Sequence, residues 1–352
     1  MSIKIGLVGA GKIAHVHSVS LEYVDGVEVV AVCDINKDKA ERFAKEHKIP
    51  NAYGSIEEML EKEKLDGVHI CVWNVNHAKC AIYALEHGVN CLCEKPMAFN
   101  TQEAVEMKKA AEKSGKILMI GFVQRFENGT KAVKDFVDND YAGELYYARA
   151  NYVRKHGNPG GWFCDKERSG GGAIIDLGVH VIDRSRYLMG SPMPVSVYAV
   201  AFNKLGNRTY IKTKEGWHPE EATDNDISTV EDSGIATIRY NNGAVVVVEA
   251  SYDINDEPKS GLSLCGTKGG FFVDGNTIKF NSEMNGYLTD TKIDIEGLKG
   301  GKNEFVAEFE HFRDCILGKC ECTATADDGI VCMKILDAIY ESARTGHEVI
   351  IK

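Results

Sequence analysis

The tightest constraint on this chain is a glycine-rich turn set between two kinds of periodicity. Ile3, Ile5, Leu7 and Val8 form a short apolar run, Gly9-Ala10-Gly11-Lys12-Ile13-Ala14 follows at once, and a helical pattern opens near Lys12. Strand, G-x-G-x-x-A and helix in that order define a βα unit built for a dinucleotide. Gly9 permits the tight turn, Gly11 lets the backbone approach a pyrophosphate, and Ala14 allows close helix packing. The helix N-terminus, beginning at Lys12 and Ile13, supplies oriented N–H groups.

The same alternation continues for 120 residues. Strands are expected at Val27–Val32, Val68–Val72, Val89–Cys93 and Ile117–Phe122, with helices around Lys37–Glu46, Ile56–Glu63, Ala78–His87 and Thr101–Ser114. Strictly alternating units imply a doubly wound parallel sheet with helices on both faces, a Rossmann fold. After about Arg125 strands follow one another instead: Leu145–Val153, Val195–Phe202, Ser233–Tyr240, Ala244–Tyr252 and Leu262–Gly266. Asn241-Asn242-Gly243 between two of them is a hairpin signal, because a tight primed turn needs residues that tolerate positive φ. Helices are expected near Ile174–Met189, Glu304–Leu317 and Asp327–Thr345. The chain thus divides into a Rossmann domain, 1–123, and an α+β domain, 124–352, with a large, mostly antiparallel open sheet. A length of 352 residues suits two domains.

Composition removes several function classes. A net charge of −11 offers no general attraction for nucleic acid or anionic membrane. No apolar run approaches the roughly 20 residues that span a bilayer. Eleven cysteines is an odd number in a long chain, and the closest pairs, Cys91/Cys93 and Cys320/Cys322, are spaced too tightly for the usual zinc ligand pair. Free thiols, no metal and a cytoplasmic location are expected; the N-terminus carries no charged leader or cleavage site ahead of the first strand.

Three further features carry chemistry. Asp34 ends the second strand, where a carboxylate accepts hydrogen bonds from an adenosine ribose and repels a 2′-phosphate; NAD is favoured, and Lys37 leaves NADP open. Glu94-Lys95-Pro96 follows a strand, so Lys95 lies at the carboxyl edge of the sheet, where open α/β folds bind ligands. A lysine beside a substrate hydroxyl and a cationic ring is pushed toward its neutral form and shares in proton transfer. In Gly170-Gly171-Gly172-Ala173-Ile174-Ile175-Asp176-Leu177-Gly178-Val179-His180, Asp176 and His180 stand at i and i+4 on one helix face, a carboxylate beside a histidine base, with Asp183 near their row. Each also has a bland reading, as a solvated loop lysine, a capping acid or a packed core histidine.

Taken together, Gly-Ala-Gly-Lys-Ile-Ala at the N-terminus, Glu-Lys-Pro after the fourth strand and Gly-Gly-Gly-x-x-x-Asp-x-Gly-x-His resemble the glucose-fructose oxidoreductase and inositol dehydrogenase family (Gfo/Idh/MocA). Phe305-x-x-Glu308-Phe309-x-x-Phe312 and Ala326-Asp327-Asp328-Gly329 extend the resemblance to the tail. The resemblance implies catalytic Lys95, Asp176 and His180. It implies a cofactor set of Gly9, Gly11, Lys12, Ile13, Asp34, Asn74, His77, Glu94 and Lys95. Where many members read Thr-Pro-Asn, this chain has Val72-Trp73-Asn74, so Trp73 replaces the proline.

The loop Arg154–Phe163 mixes cations with aromatic residues, which suits a polyhydroxylated ring with an apolar C–H face. His156, Trp162 and Arg125 join Asp176 and His180 as the candidate substrate set. The expected activity is NAD(P)-dependent oxidation of a secondary hydroxyl of a cyclic polyol, sugar or sugar derivative to a ketone. The alternatives are a redox-neutral sugar enzyme with tightly held NAD, and a dinucleotide-binding sensor. By family analogy the partner is a second copy of the chain, as a homodimer or homotetramer.

Overall fold

The computed structural model describes residues 2–206, 208, 210–211, 218–219, 222–223, 226–295 and 303–352. Two compact units emerge: Met1–Val123 with Lys302–Ile330, and Gln124–Gly301 with Val331–Lys352.

The first unit contains β1 (Ile3–Val8), α1 (Lys12–Leu21), β2 (Val27–Cys33), α2 (Lys37–His47), β3 (Asn51–Tyr53), α3 (Ile56–Lys62), β4 (Gly67–Ile70), α4 (His77–Glu86), β5 (Asn90–Glu94), α5 (Thr101–Ser114) and β6 (Leu118–Gly121). Its sheet runs β3-β2-β1-β4-β5-β6 with every pair parallel, the doubly wound order that reverses beside β1. Local chemistry sets the helix starts. Asn36, Ser55 and Asn100 each accept the backbone N–H three residues on, and Glu58 reaches back to accept from Gly54 N, just ahead of the Ser55 cap.

The second unit contains α6 (Asn128–Asp138), β7 (Leu145–Val153), α7 (Lys166–Ser169), α8 (Val179–Leu188), β8 (Pro194–Phe202), β9 (Ser233–Tyr240), β10 (Val245–Ser251), β11 (Lys259–Gly266), β12 (Gly269–Asp274), β13 (Thr277–Met284) and β14 (Tyr287–Ile293). Then come α9 (Glu304–Ile316), α10 (Ala326–Thr345) and β15 (Val349–Ile350). The sheet order is β14-β13-β12-β11-β7-β10-β9-β8-β15, and β7–β10 is its one parallel pair among the described residues. Ala148, Ala150, Ala236, Ile238, Val246, Val248, Leu262 and Leu264 point inward and are buried, with α6 and α8 packed on that side. The other face leaves Tyr198, Phe202 and Ile235 exposed. Gly243, at φ +86°, closes the β9–β10 hairpin with its N–H on Tyr240 O at 3.0 Å, as Asn-Asn-Gly requires.

Residues 302–330 belong with the first unit, whereas the sequence reading put everything after 123 in the second. The reason is apolar: α9 packs against α1, with the Phe309 ring tilted 4.6 Å from the His17 ring and 4.7 Å from His69. Thr325 then forms a bridge with Met119 of β6. Among the described residues no helix is long and apolar enough to cross a membrane. Every cysteine is a free thiol.

The β1–α1 turn has an architectural glycine and an open one. Gly9 sits at φ +98°, and a Cβ there would lie 2.4 Å from Cys71 O, whereas a Cβ on Gly11 would meet nothing within 4 Å. Gly9→Ala is expected to lower the unfolding free energy by about 2 kcal/mol or more, from left-handed strain plus the clash. Gly11→Ala should cost at most about 1 kcal/mol. Urea melts of the two variants check this; equal destabilisation would show that Gly9 is not under strain.

Candidate active site

In the first unit the carboxyl ends of β1, β2, β4 and β5 converge. Gly11 is the N-cap of α1, in extended conformation, and no side chain caps that helix or places an acid in its first turn. Backbone donors and open space over Gly11 are what a pyrophosphate needs. Asp34 braces this turn: its Oδ2 accepts from Ala10 N at 2.9 Å and its Oδ1 from Asn36 N at 2.9 Å. Its carboxylate, beside the 87 % exposed Ile35, retains further lone pairs for a ribose. These residues fit a dinucleotide.

Behind the β5 edge lies a chain of buried polar groups. Glu94 Oε1 accepts from His17 Nε2 at 2.9 Å, His17 Nδ1 lies 3.0 Å from His69 Nδ1, and Glu94 Oε2 accepts from Lys95 N at 3.2 Å. Burial pushes the Glu94 carboxyl up, but His17, Lys95 and His77 together hold it below its ordinary range. His77 is 1 % exposed, with Nδ1 on Pro96 O at 2.7 Å and Nε2 3.1 Å from Val72 O. Asn74 is buried too. Of the expected cofactor set, His77 and Glu94 therefore lie behind the Lys95-Pro96 turn and fix it, and Lys95 itself is partly exposed at the strand's end. The Lys95–Pro96 peptide is cis.

Glu308, from the tail motif, is the member that sequence reading left without a role. It is fully buried, and neither carboxylate oxygen has a hydrogen-bond partner. Burial, reinforced by the nearby Glu94 charge, drives its carboxyl well above the carboxylate range.

The second unit gathers the other candidates. The segment expected as one helix is a π-helical turn, Ile174–Gly178, that passes into α8. Such an insertion is a common device at functional sites, and it offsets Asp176 from His180 relative to plain α-geometry. Asp176, 8 % exposed, accepts from the Tyr252 hydroxyl at 2.9 Å. Burial and the Asp176 charge push the Tyr252 phenol far up, so it stays a donor. His180 is half-buried, its ring 6.2 Å from Tyr152. Arg154 reaches the Tyr152 hydroxyl at 3.3 Å, and although burial opposes its charge, Tyr152 and Asp176 keep it protonated.

The triple glycine serves this turn through the protein's own contacts. A Cβ on Gly171 would lie 1.9 Å from the Tyr340 hydroxyl, and one on Gly172 would lie 2.1 Å from Glu231 O. The Glu231 carboxylate accepts from Gly172 N, Ile174 N and Tyr340, at 2.9, 3.0 and 2.9 Å, and so pins the turn's start.

The candidate substrate residues separate. His156 Nδ1 is 2.7 Å from the buried Asp253 carboxylate, which also accepts from Arg208 Nη2 at 2.9 Å. Trp162 is half-buried and stacks on Phe163 at 3.9 Å. Arg125 is different: it is 3 % exposed and grips Asp183 with two bonds, Nε to Oδ2 at 2.8 Å and Nη2 to Oδ1 at 2.5 Å. Asp183, expected near the Asp176–His180 row, is spent on this pair. Tyr152, Tyr252 and Glu231 went unnoticed in the sequence because strand tyrosines and a lone glutamate carry no spacing signal.

Residues 3–122 match the oxidoreductase family described by its NAD-binding Rossmann fold, and residues 130–272 match the GFO/IDH/MocA C-terminal domain. The chain belongs to the Gfo/Idh/MocA oxidoreductase family. It is 32 % identical over 351 residues to D-glucoside 3-dehydrogenase of Escherichia coli, covering 99 % of this chain and 97 % of that one. Myo-inositol 2-dehydrogenase of Thermotoga maritima is 23 % identical over 85 % of this chain and 89 % of its own. The solved structure of levoglucosan dehydrogenase in complex with NADH superposes with a TM-score of 0.88 over the whole of both chains, at 21 % identity. The Rossmann sheet and the antiparallel sheet expected from the sequence are thus the family's fold.

Removing one half of the Arg125–Asp183 pair leaves a buried charge unpaired. Arg125→Ala is expected to destabilise the protein by about 3–5 kcal/mol in a denaturant melt. An unchanged midpoint with a raised substrate KM would return Arg125 to the substrate set. For Glu308, the folded pKa lies above the unfolded value of about 4.3. Between the two, the folded state keeps a proton that the unfolded state loses, so this group's contribution falls as pH rises, by up to about 1.4 kcal/mol per unit. Glu308→Gln should flatten that slope, gaining on the wild type from pH 5 to pH 8; a parallel pair of stability curves would contradict a protonated Glu308.

Proposed function

We propose that this protein oxidises a secondary hydroxyl of a sugar, glucoside or cyclic polyol to the ketone, with NAD as the preferred acceptor. The observation that carries the reading is the π-turn in which Tyr252 orients the buried Asp176 carboxylate one turn ahead of the half-exposed His180. Near-full-length similarity to D-glucoside 3-dehydrogenase supports the substrate class.

In this reading His180 takes the hydroxyl proton at a ring nitrogen, and Asp176 stabilises the imidazolium that results. Lys95, carried by the braced Glu94-Lys95-Pro96 turn, hydrogen-bonds the reacting oxygen and shares the proton. Bound NAD supplies the hydride acceptor. Gly9, Gly11, Lys12 and Ile13 hold its pyrophosphate, Asp34 its ribose, and Asn74, His77 and Glu94 shape the rest of its site from within. The Asp34 carboxylate disfavours a 2′-phosphate, and Lys37 gives NADP a weaker alternative. His156 and Trp162 flank the sugar, Trp162 by its apolar face. We further propose a cytoplasmic homodimer or homotetramer that buries the outward sheet face of Tyr198, Phe202 and Ile235.

Mixing the protein with excess NAD or NADP and a panel of glucosides, aldoses and inositols, while following reduced nicotinamide, tests the reading. Continuous NADH formation with one class is expected; a burst limited to the enzyme concentration would instead indicate a redox-neutral cycle. Lys95→Met and His180→Asn should each lower kcat by about 10²–10⁴-fold while NAD binding holds within a few-fold. Loss of NAD binding in both would remove them from the proton-transfer role.

A further inference from the structure

Apart from the dinucleotide-fold machinery, the segment that returns to the first unit carries a cluster of soft ligands. His311 and Cys315 lie one turn apart on α9, and the loop after the helix brings Cys320 and Cys322 back beside them. Cys315 Sγ is 3.6 Å from Cys320 Sγ and 3.5 Å from His311 Nε2, and Cys320 Sγ is 3.6 Å from His311 Nδ1. One ligand atom from each of these three residues lies within 4.8 Å of the others. Cys322 follows two residues after Cys320 in the same loop, its Sγ 3.5 Å from Ala324 O.

We propose that His311, Cys315, Cys320 and Cys322 form a structural zinc site. Zinc–sulfur bonds of about 2.3 Å and zinc–nitrogen bonds of about 2.0–2.1 Å, at tetrahedral angles, put sulfurs about 3.8 Å apart and sulfur about 3.6 Å from nitrogen. The Cys315–Cys320 and Cys320–Nδ1 separations have that size without a metal being needed to draw them in, whereas Cys315 stands against Nε2 and would move toward Nδ1 on binding. Three thiolates and one imidazole form the closed Cys₃His donor set of structural sites, which leaves no position for substrate. Each thiol gives its proton to solvent on binding, and no oxidant is involved.

The surroundings suit a cation. His311 Nε2 accepts from Thr323 N at 3.1 Å and lies 3.1 Å from Thr323 Oγ1, so the loop holds the ring in orientation; coordination through Nδ1 would move the ring proton to Nε2 and exchange the Thr323 N contact for one to the hydroxyl. The cluster stands at the C-terminus of α9, the negative end of the helix dipole. Cys320 is exposed and Cys315 buried, which gives the ion a way in and a wall behind it. The site would clamp the loop whose next residues pair with β6, Ala324 O accepting from Ile120 N at 2.9 Å.

The test uses the full-length protein, reduced and stripped with chelator under anaerobic conditions, then titrated with Co²⁺ and with Zn²⁺. One equivalent of Co²⁺ should give the visible bands and thiolate charge transfer of a tetrahedral sulfur-rich site, and one Zn²⁺ per chain should displace it and raise Tm. Cys320→Ser and Cys322→Ser should each weaken Zn²⁺ binding by 100-fold or more in competition with a chromophoric chelator, with turnover unchanged. Cys265→Ser, remote in the sequence and in the other unit, should bind as the wild type. Three results would overturn the proposal. One is the absence of tetrahedral Co²⁺ bands, and another is wild-type affinity in both loop variants. The third is a Cys315–Cys320 disulfide in the isolated protein whose reduction restores no metal binding, which would make the pair a redox couple.

Discussion

A carboxylate buried at the end of a parallel strand must be compensated, and much of the first unit is arranged to compensate Glu94. Its partner His17 comes from α1, the helix that follows the glycine turn, and His17 in turn meets His69 of β4. Lys95 N, one residue on, shares the same carboxylate. A single charge thus ties the dinucleotide helix, the central strand and the Lys95 turn into one polar unit in a region otherwise lined by Phe309 and Phe312. Water cannot replace these partners in so closed a place, which makes their mutual positions stiff.

Glycine does two unlike jobs in this molecule. Gly9, Gly171 and Gly172 are small because protein backbone or a tyrosine hydroxyl occupies the place of a side chain, whereas the space above Gly11 is open. The first kind sets how closely elements approach, and the second reserves room for something that is not protein. Motif matching treats both alike.

The regular part of the fold was legible because its signals are local. The alternation of five strands with helices, the Asn-Asn-Gly hairpin and the long tail helices follow from periodicity and turn chemistry alone. Five elements escaped for physical reasons. β3 is only Asn51-Ala52-Tyr53, α6 follows the domain boundary without a side-chain cap, and β12–β14 carry glycine, lysine and asparagine with weak alternation because their edge of the sheet is exposed. Lys95, Asp176 and His180 were singled out by motif, but the π-turn was not, since an inserted residue leaves no mark on a helical pattern. Arg125 was read as a substrate cation, and its buried pairing with Asp183 left no sequence signal because that partner lies 58 residues away. The cysteine reading compared thiols only with thiols. It did not weigh the His311–Cys315 pair, at helical spacing, on which the proposed zinc site rests.

The return of residues 302–330 to the first unit bears on how the protein is made. As the chain leaves the ribosome, its first 123 residues already carry a complete set of six parallel strands, yet His17, His69 and Glu94 lack the aromatic cover that Phe309 and Phe312 provide. That cover is synthesised only after all but the last strand of the second sheet. The N-terminal third therefore waits, with a polar seam uncovered, while roughly half of the chain is made, and it is then, in the nascent protein, that a holdase chaperone would have most to protect.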